Sequence, residues 1–177
     1  MDTTGYTVFD TALGTCAIAW GARGVVAVSL PHADERALRA RTRRTVPGAV
    51  DRPPPAEVRR AIDAIAALLT GEPRDLSAIE LDMARMPEFD RRVYAVARTV
   101  PPGETITYGE IAARIGDRGA AQAVGQALGR NPFPIVVPCH RVLAAGGRMG
   151  GFSARGGVPT KRRMLAIEGV GAPALFA

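Results

Sequence analysis

The chain has 177 residues, 47% hydrophobic and 23% charged, enough apolar side chain to build one or two packed domains without disulfide staples. No apolar run approaches the ~20 residues of a membrane span, and no basic stretch followed by an apolar one opens the chain as in a secretory leader. Its two cysteines, Cys16 and Cys139, lie too far apart in sequence to read as a disulfide framework, so a reduced, cytoplasmic setting is expected.

The net charge of +6 is unevenly spread. Residues 85–177 carry 13 Lys and Arg against 6 Asp and Glu, while residues 1–84 carry 10 Arg against 11 acids. The second half is therefore expected to meet a polyanion, nucleic acid first. Lys161 is the only lysine, so nearly all of the positive charge is guanidinium, which suits phosphate and base contacts.

Apolar, β-rich runs at 6–10, 15–20 and 25–30, split by Gly-containing turns, predict an antiparallel meander. His32, behind Pro31, has no evident partner and is expected on the surface. Residues 34–44 predict a helix starting near Asp34, with Arg36, Arg39, Arg41, Arg43 and Arg44 forming a solvated face. The Pro-rich stretch 45–55 predicts a loop. Residues 56–69 carry the clearest amphipathic pattern, with Val58, Ile62, Ile65, Leu68 and Leu69 on one side, and Gly71 and Pro73 stop it. Residues 79–83 predict one more short strand. Nothing in this half groups side chains for catalysis, and it reads as a scaffold.

In the second half, Phe89, Val93, Val96, Ala97 and Val100 predict a helix from 87 to about 100. Thr107 followed by Glu110 is a capping box opening a helix over 108–115. A Gly-containing turn at 116–119 leads to a second helix over 120–128. Two short helices so joined form a helix-turn-helix pattern, whose second helix is expected to touch nucleic acid. That helix, AAQAVGQAL, offers only Gln122 and Gln126 as polar side chains. It suits close backbone approach better than major-groove reading by long polar groups.

Next comes NPFPIVVPCHRV, residues 131–142. Pro132, Pro134 and Pro138 each fix φ and remove a donor, so no regular strand or long helix can pass. A lone thiol, Cys139, beside an imidazole, His140, on a stiff apolar segment is a candidate for covalent chemistry. The competing reading is a small buried hydrophobe beside a surface histidine. A zinc site would need Cys16, His32, Cys139 and His140 from both halves, at no ligand spacing, so no metal is expected. A turn at 144–147 precedes a Gly-rich loop, 148–157, which holds Phe152 and Ser153 and lacks the Gly-Lys-Ser/Thr end of a phosphate loop. A last helix is predicted over 159–168. Glu168 falls at its C-terminal end, where a carboxylate opposes the helix dipole, so a specific partner for it is expected.

Taken together, NPFPIVVPCHRV, the upstream TYGEIA (107–112), the downstream GGFS (150–153) and the helix ending LAIEG resemble the O6-alkylguanine-DNA alkyltransferases, or methylated-DNA–protein-cysteine methyltransferases. The likeness runs through residues 89–169. It implies an α+β fold: a small ribonuclease-H-like α/β domain with antiparallel strands (1–84), then a mainly helical, winged-helix-like domain with a helix-turn-helix (85–177). It also implies stoichiometric, irreversible transfer of a methyl or other alkyl group from O6-alkylguanine, and from O4-alkylthymine, in double-stranded DNA to Cys139 after base flipping. The protein would act without a cofactor and as a monomer, at most clustering along DNA.

By the same resemblance, His140 would take the Cys139 proton through a water, Glu168 would orient His140, and Asn131 would tie the helix-turn-helix to the active-site loop. Tyr108 would donate to the guanine ring nitrogen, the Ser153 N–H would hold the O6 edge, Phe152 would cover the base and Val142 would line its pocket. Ala121, Gln122, Arg118, Arg130 and Arg155 would face DNA. One departure stands out: family members often carry an arginine where this chain has Gln122. The rival readings are an alkylated-base-binding protein without transfer activity, a helix-turn-helix regulator with an inert cysteine, and a thiol hydrolase. The presence of Cys139 counts against the first, and the basic second half counts against the last.

Overall fold

A computed structural model describes residues 3–152 and 156–171. The chain forms two compact units. One runs up to Arg85 and takes in Pro132–Val136; the other comprises Met86–Asn131 and the chain from Val137 on.

The N-terminal unit is built on a sheet. Strands β1 (Gly5–Thr11), β2 (Gly14–Gly21) and β3 (Gly24–Ser29) pair antiparallel, as the alternation of β-rich runs and turns predicts. Gly24 is required twice over: its φ is +120°, and a Cβ there would lie 2.6 Å from the Glu80 carbonyl oxygen. Cys16, Ala17, Ile18, Ala19 and Trp20 are all buried. Successive strand residues point to opposite faces, so β2 is covered on both. Helix α1 (Glu35–Thr45) starts where Asp34 Oδ1 accepts from the Ala37 N–H at 2.7 Å, an N-cap that satisfies one of the helix's orphan donors. Helix α2 (Ala56–Leu69) buries Val58, Ala61, Ile65, Leu68 and Leu69.

Two expectations need correction here. The predicted loop at 45–55 contains a strand, β4 (Val50–Asp51), which pairs parallel to Gly5 and Tyr6 of β1 and gives a mixed sheet of order β3-β2-β1-β4. The predicted strand at 79–83 reduces to a single bridge between Val25 and Leu81. Both differences have one cause: such short pairings are set by the neighbouring backbone, not by the segment's own propensity.

The C-terminal unit is mainly helical: α3 (Glu88–Ala97), α4 (Tyr108–Arg114), α5 (Ala121–Gly129) and α6 (Gly157–Ile167). The capping box closes as predicted. Thr107 Oγ1 accepts from the Glu110 N–H at 3.1 Å, and Glu110 Oε2 accepts from the Thr107 N–H at 2.7 Å. The Tyr94 hydroxyl donates to the Ala127 carbonyl at 2.7 Å, pinning α3 to α5. Strands β5 (Ile106–Thr107) and β6 (Val142–Leu143) pair in parallel. This pairing, which the sequence did not suggest, fixes the start of α4 beside the residues that follow the Cys-His-Arg turn.

Candidate active site

Pro138, at φ −79° and ψ 65°, takes the inverse γ-turn geometry, and the Cys139 N–H donates to the Val137 carbonyl at 2.8 Å. The Arg141 N–H then donates to the Pro138 carbonyl at 2.9 Å, closing one 3₁₀ turn over Cys139–Arg141. Asn131, just past α5, holds this turn from the other side. Its Nδ2 donates to the Val137 carbonyl at 3.0 Å, and its side chain also hydrogen-bonds the Cys139 thiol. Cys139 is reduced and half-buried. It lines a cavity of about 450 Å³ together with Tyr108, Ala121, Gln122, Gly125 and Phe152. Burial pushes its thiol up from the ordinary value; the Asn131 hydrogen bond and the Lys161 charge oppose that rise.

His140 is buried, and its Nε2 lies 2.8 Å from Glu168 Oε1. Arg141 grips the same carboxylate with two donors, Nη2 to Oε1 at 2.7 Å and Nε to Oε2 at 2.9 Å, and turns Nη1 to the Val100 carbonyl at 2.7 Å. Burial alone would raise the Glu168 carboxyl. The hydrogen bonds from His140 and Arg141 outweigh burial and hold it at about 2, so Glu168 is ionised at neutral pH in spite of the helix dipole. Burial pushes His140 below its ordinary value, the Glu168 bond and charge oppose this, and the Arg141 and Lys161 charges reinforce it. A neutral imidazole donating Nε2–H to a carboxylate keeps Nδ1 as an acceptor. His140 Nδ1 is buried with no hydrogen-bond partner among the described residues.

Tyr108, the first residue of α4, lines the cavity, and its hydroxyl is pushed up by burial and by Cys139. Val142 is buried in β6, and its carbonyl accepts from Lys161 Nζ at 2.6 Å. Ala121 and Gln122 stand at the cavity on the first turn of α5. Arg118 is exposed on the turn before α5. Arg130, at the end of α5, pairs with buried Asp90 at 2.8 Å. Ser153 and Arg155 lie outside the described residues. Sequence reasoning passed over two residues. Arg141 carried a signal, since it directly follows Cys139 and His140. Lys161 carried a fainter one, as the one lysine in an arginine-rich chain.

Residues 88–170 match the family described as 6-O-methylguanine DNA methyltransferase, DNA binding domain. The methylated-DNA–protein-cysteine methyltransferase of Methanothermobacter thermautotrophicus is 37% identical over 153 residues, spanning 86% of this chain and 78% of that protein. The protein of the same description from Mycolicibacterium paratuberculosis is 48% identical over 114 residues, 64% of this chain and 67% of its own. The crystal structure of Mycobacterium tuberculosis O6-methylguanine methyltransferase aligns with a TM-score of 0.75 at 34% identity, covering 97% of this chain and 96% of that one. Mycobacterium tuberculosis OGT in complex with DNA aligns at 0.76 and 34%, covering 93% and 92%. With the likeness extending across both units and the helix-turn-helix and Cys-His-Arg turn inside the matched region, the chain belongs to the methylated-DNA–protein-cysteine methyltransferase family.

Proposed function

We propose that the chain repairs DNA by direct reversal, moving a methyl or other alkyl group from O6 of guanine in duplex DNA, and from O4 of thymine, to the sulfur of Cys139, one group per protein molecule. The observation that carries this reading is the buried imidazole of His140. It is fixed by a charged carboxylate at 2.8 Å, and among the described residues its Nδ1 has no partner, next in sequence to a reduced, half-buried thiol.

Because burial holds the thiol protonated, the sulfur needs a base at the moment of reaction. His140 Nδ1 takes the proton through a water. The thiolate attacks the alkyl carbon, the S–C bond forms, the C–O6 bond breaks, and the electron pair returns to the purine. Tyr108 donates its hydroxyl proton to the ring nitrogen that becomes basic. Exchange with solvent then clears His140 and restores Tyr108, leaving guanine and a neutral thioether that no group in the site can cleave.

The target atom is stacked and paired in the duplex, so the base must leave the helix at a cost of a few kcal/mol. Phe152 and Val142 would line the pocket that receives it, with the Ser153 N–H on the O6 edge. Helix α5, with Ala121 and Gly125 at the cavity, allows close approach in the minor groove, and Gln122 occupies the gap left by the base. Arg118 and Arg155 supply charge to the phosphates. Arg130 contributes less because Asp90 already holds it. Such a protein works where the DNA is and where thiols stay reduced, in the cytoplasm.

Titrating the protein against an O6-methylguanine duplex tests this. Restored guanine should level off at one base per protein molecule. Continued turnover would indicate a hydrolase, and binding without restoration would indicate a base-binding protein.

A further inference from the structure

Lys161, on α6, is fully buried. Its Nζ donates to the Val142 carbonyl at 2.6 Å and to the Gly151 carbonyl at 3.2 Å, and it stands 5.9 Å from the centre of the Tyr108 ring. Among the described residues no carboxylate pairs with it, since Glu168 is taken by His140 and Arg141. A buried ammonium with only neutral partners is a costly arrangement. It also occurs in a chain that uses arginine everywhere else. A compact ammonium can sit between two carbonyls where a planar guanidinium does not fit. Those two carbonyls bracket the site: Val142 follows the Cys-His-Arg turn, and Gly151 precedes Phe152.

The charged and titratable groups around the pair are few. Tyr94 comes from α3, Tyr108 from α4, His140 and Arg141 from the turn, and Glu168 from the end of α6. Tyr94, Tyr108 and Lys161 all feel charge at Cys139, and Lys161 is the cation that acts on the Cys139 sulfur. Arg162 and Arg163, on the same helix, are exposed.

We propose that Lys161 is a positioning residue whose ammonium is the counter-charge that meets the Cys139 thiolate as it forms and, through Gly151, the peg that holds Phe152 at the cavity. Alkyl transfer turns the sulfur into a thioether that can no longer ionise, so the spent site has lost the anion that the buried ammonium would meet at that sulfur. This rests on the reading of Cys139 as the nucleophile, but its test uses no DNA.

Because Lys161 is the only lysine, protein labelled with ¹³Cε-lysine gives one side-chain lysine signal, and its titration can be followed by NMR in the unaltered chain. Capping Cys139 with methyl methanethiosulfonate, which leaves a neutral mixed disulfide, should lower the Lys161 titration midpoint by about one pH unit. In a second arm, iodoacetamide uptake at Cys139 is followed against pH. The midpoint should rise by about one unit in Lys161→Met. A Lys161 midpoint unmoved by capping overturns the proposal, and so does a folded Lys161→Met protein with the wild-type iodoacetamide profile. If Lys161→Met does not fold, the NMR arm decides alone. Loss of DNA repair with the Lys161–Cys139 coupling intact would refute the function and leave this inference standing.

Discussion

Cys16 and Cys139 are two reduced thiols in one chain, and they differ in what surrounds them. Cys16 lies inside β2, with no exposure and the Thr11 hydroxyl at 3.7 Å. Burial pushes it up to about 11. Cys139 is also pushed up by burial, yet it opens onto a cavity, takes a hydrogen bond from the Asn131 side chain and feels the charge of Lys161, with His140 next to it in the chain. Burial raises both thiols, so on the proposed reading it is the base, His140, and the counter-charge, Lys161, on the side of Cys139 alone that make one sulfur reactive and leave the other inert.

The largest effect that could break this comparison comes from serine substitution. Cys139→Ser should abolish methyl uptake from a methylated duplex, whereas Cys16→Ser should retain a rate within about twofold of wild type; the reverse pattern in folded variants would reject the distinction. The carboxylate behind His140 comes next. Glu168→Ala should slow transfer by about 10²-fold or more in single-turnover assays. It should also cost about 3–5 kcal/mol in urea unfolding, because it strands Arg141 and His140 in the interior.

Glu168 also gives a pH signature. Its folded-state value of about 2 lies below the ordinary 4.5, so the unfolded chain binds its proton first. Its contribution is complete above pH 4.5 and is lost as the pH falls towards 2, about 3 kcal/mol in all. Unfolding measured at intervals between pH 6 and pH 2, as an order-of-magnitude window for that titration, should show the loss in wild type and a flatter slope in Glu168→Gln. A smaller effect is expected at the DNA surface. Gln122→Arg should tighten duplex binding and steepen its dependence on salt by about one counterion. Smallest is Thr107→Ala, which opens the capping box and should cost about 1 kcal/mol in urea unfolding.

Features with local causes were legible in the sequence. Helix α2 spans the predicted 56–69 because an apolar stripe and a Gly-Pro stop are both written into the segment. The capping box at Thr107 and the meander of β1 to β3 were legible for the same reason. Glu168 could be singled out because a carboxylate at a helix C-terminus is locally unfavourable. Its pairing with Arg141, 27 residues away, could not be read, since nothing local links the two. The β5–β6 pairing and β4 escaped likewise, because strands of two residues take their identity from the backbone beside them. Composition marked Lys161 as the one lysine, but its burial between two carbonyls remained hidden, because side-chain burial on a helix of weak periodicity is not announced by the sequence.

The most direct test of the central claim is to react the protein with an excess of O6-methylguanine duplex, digest it and locate the added methyl by peptide mass spectrometry. The account predicts one methyl group, on the peptide containing Cys139, with the peptide containing Cys16 unmodified. A methyl group on any other residue, or repaired DNA with an unmodified Cys139 peptide, would contradict it.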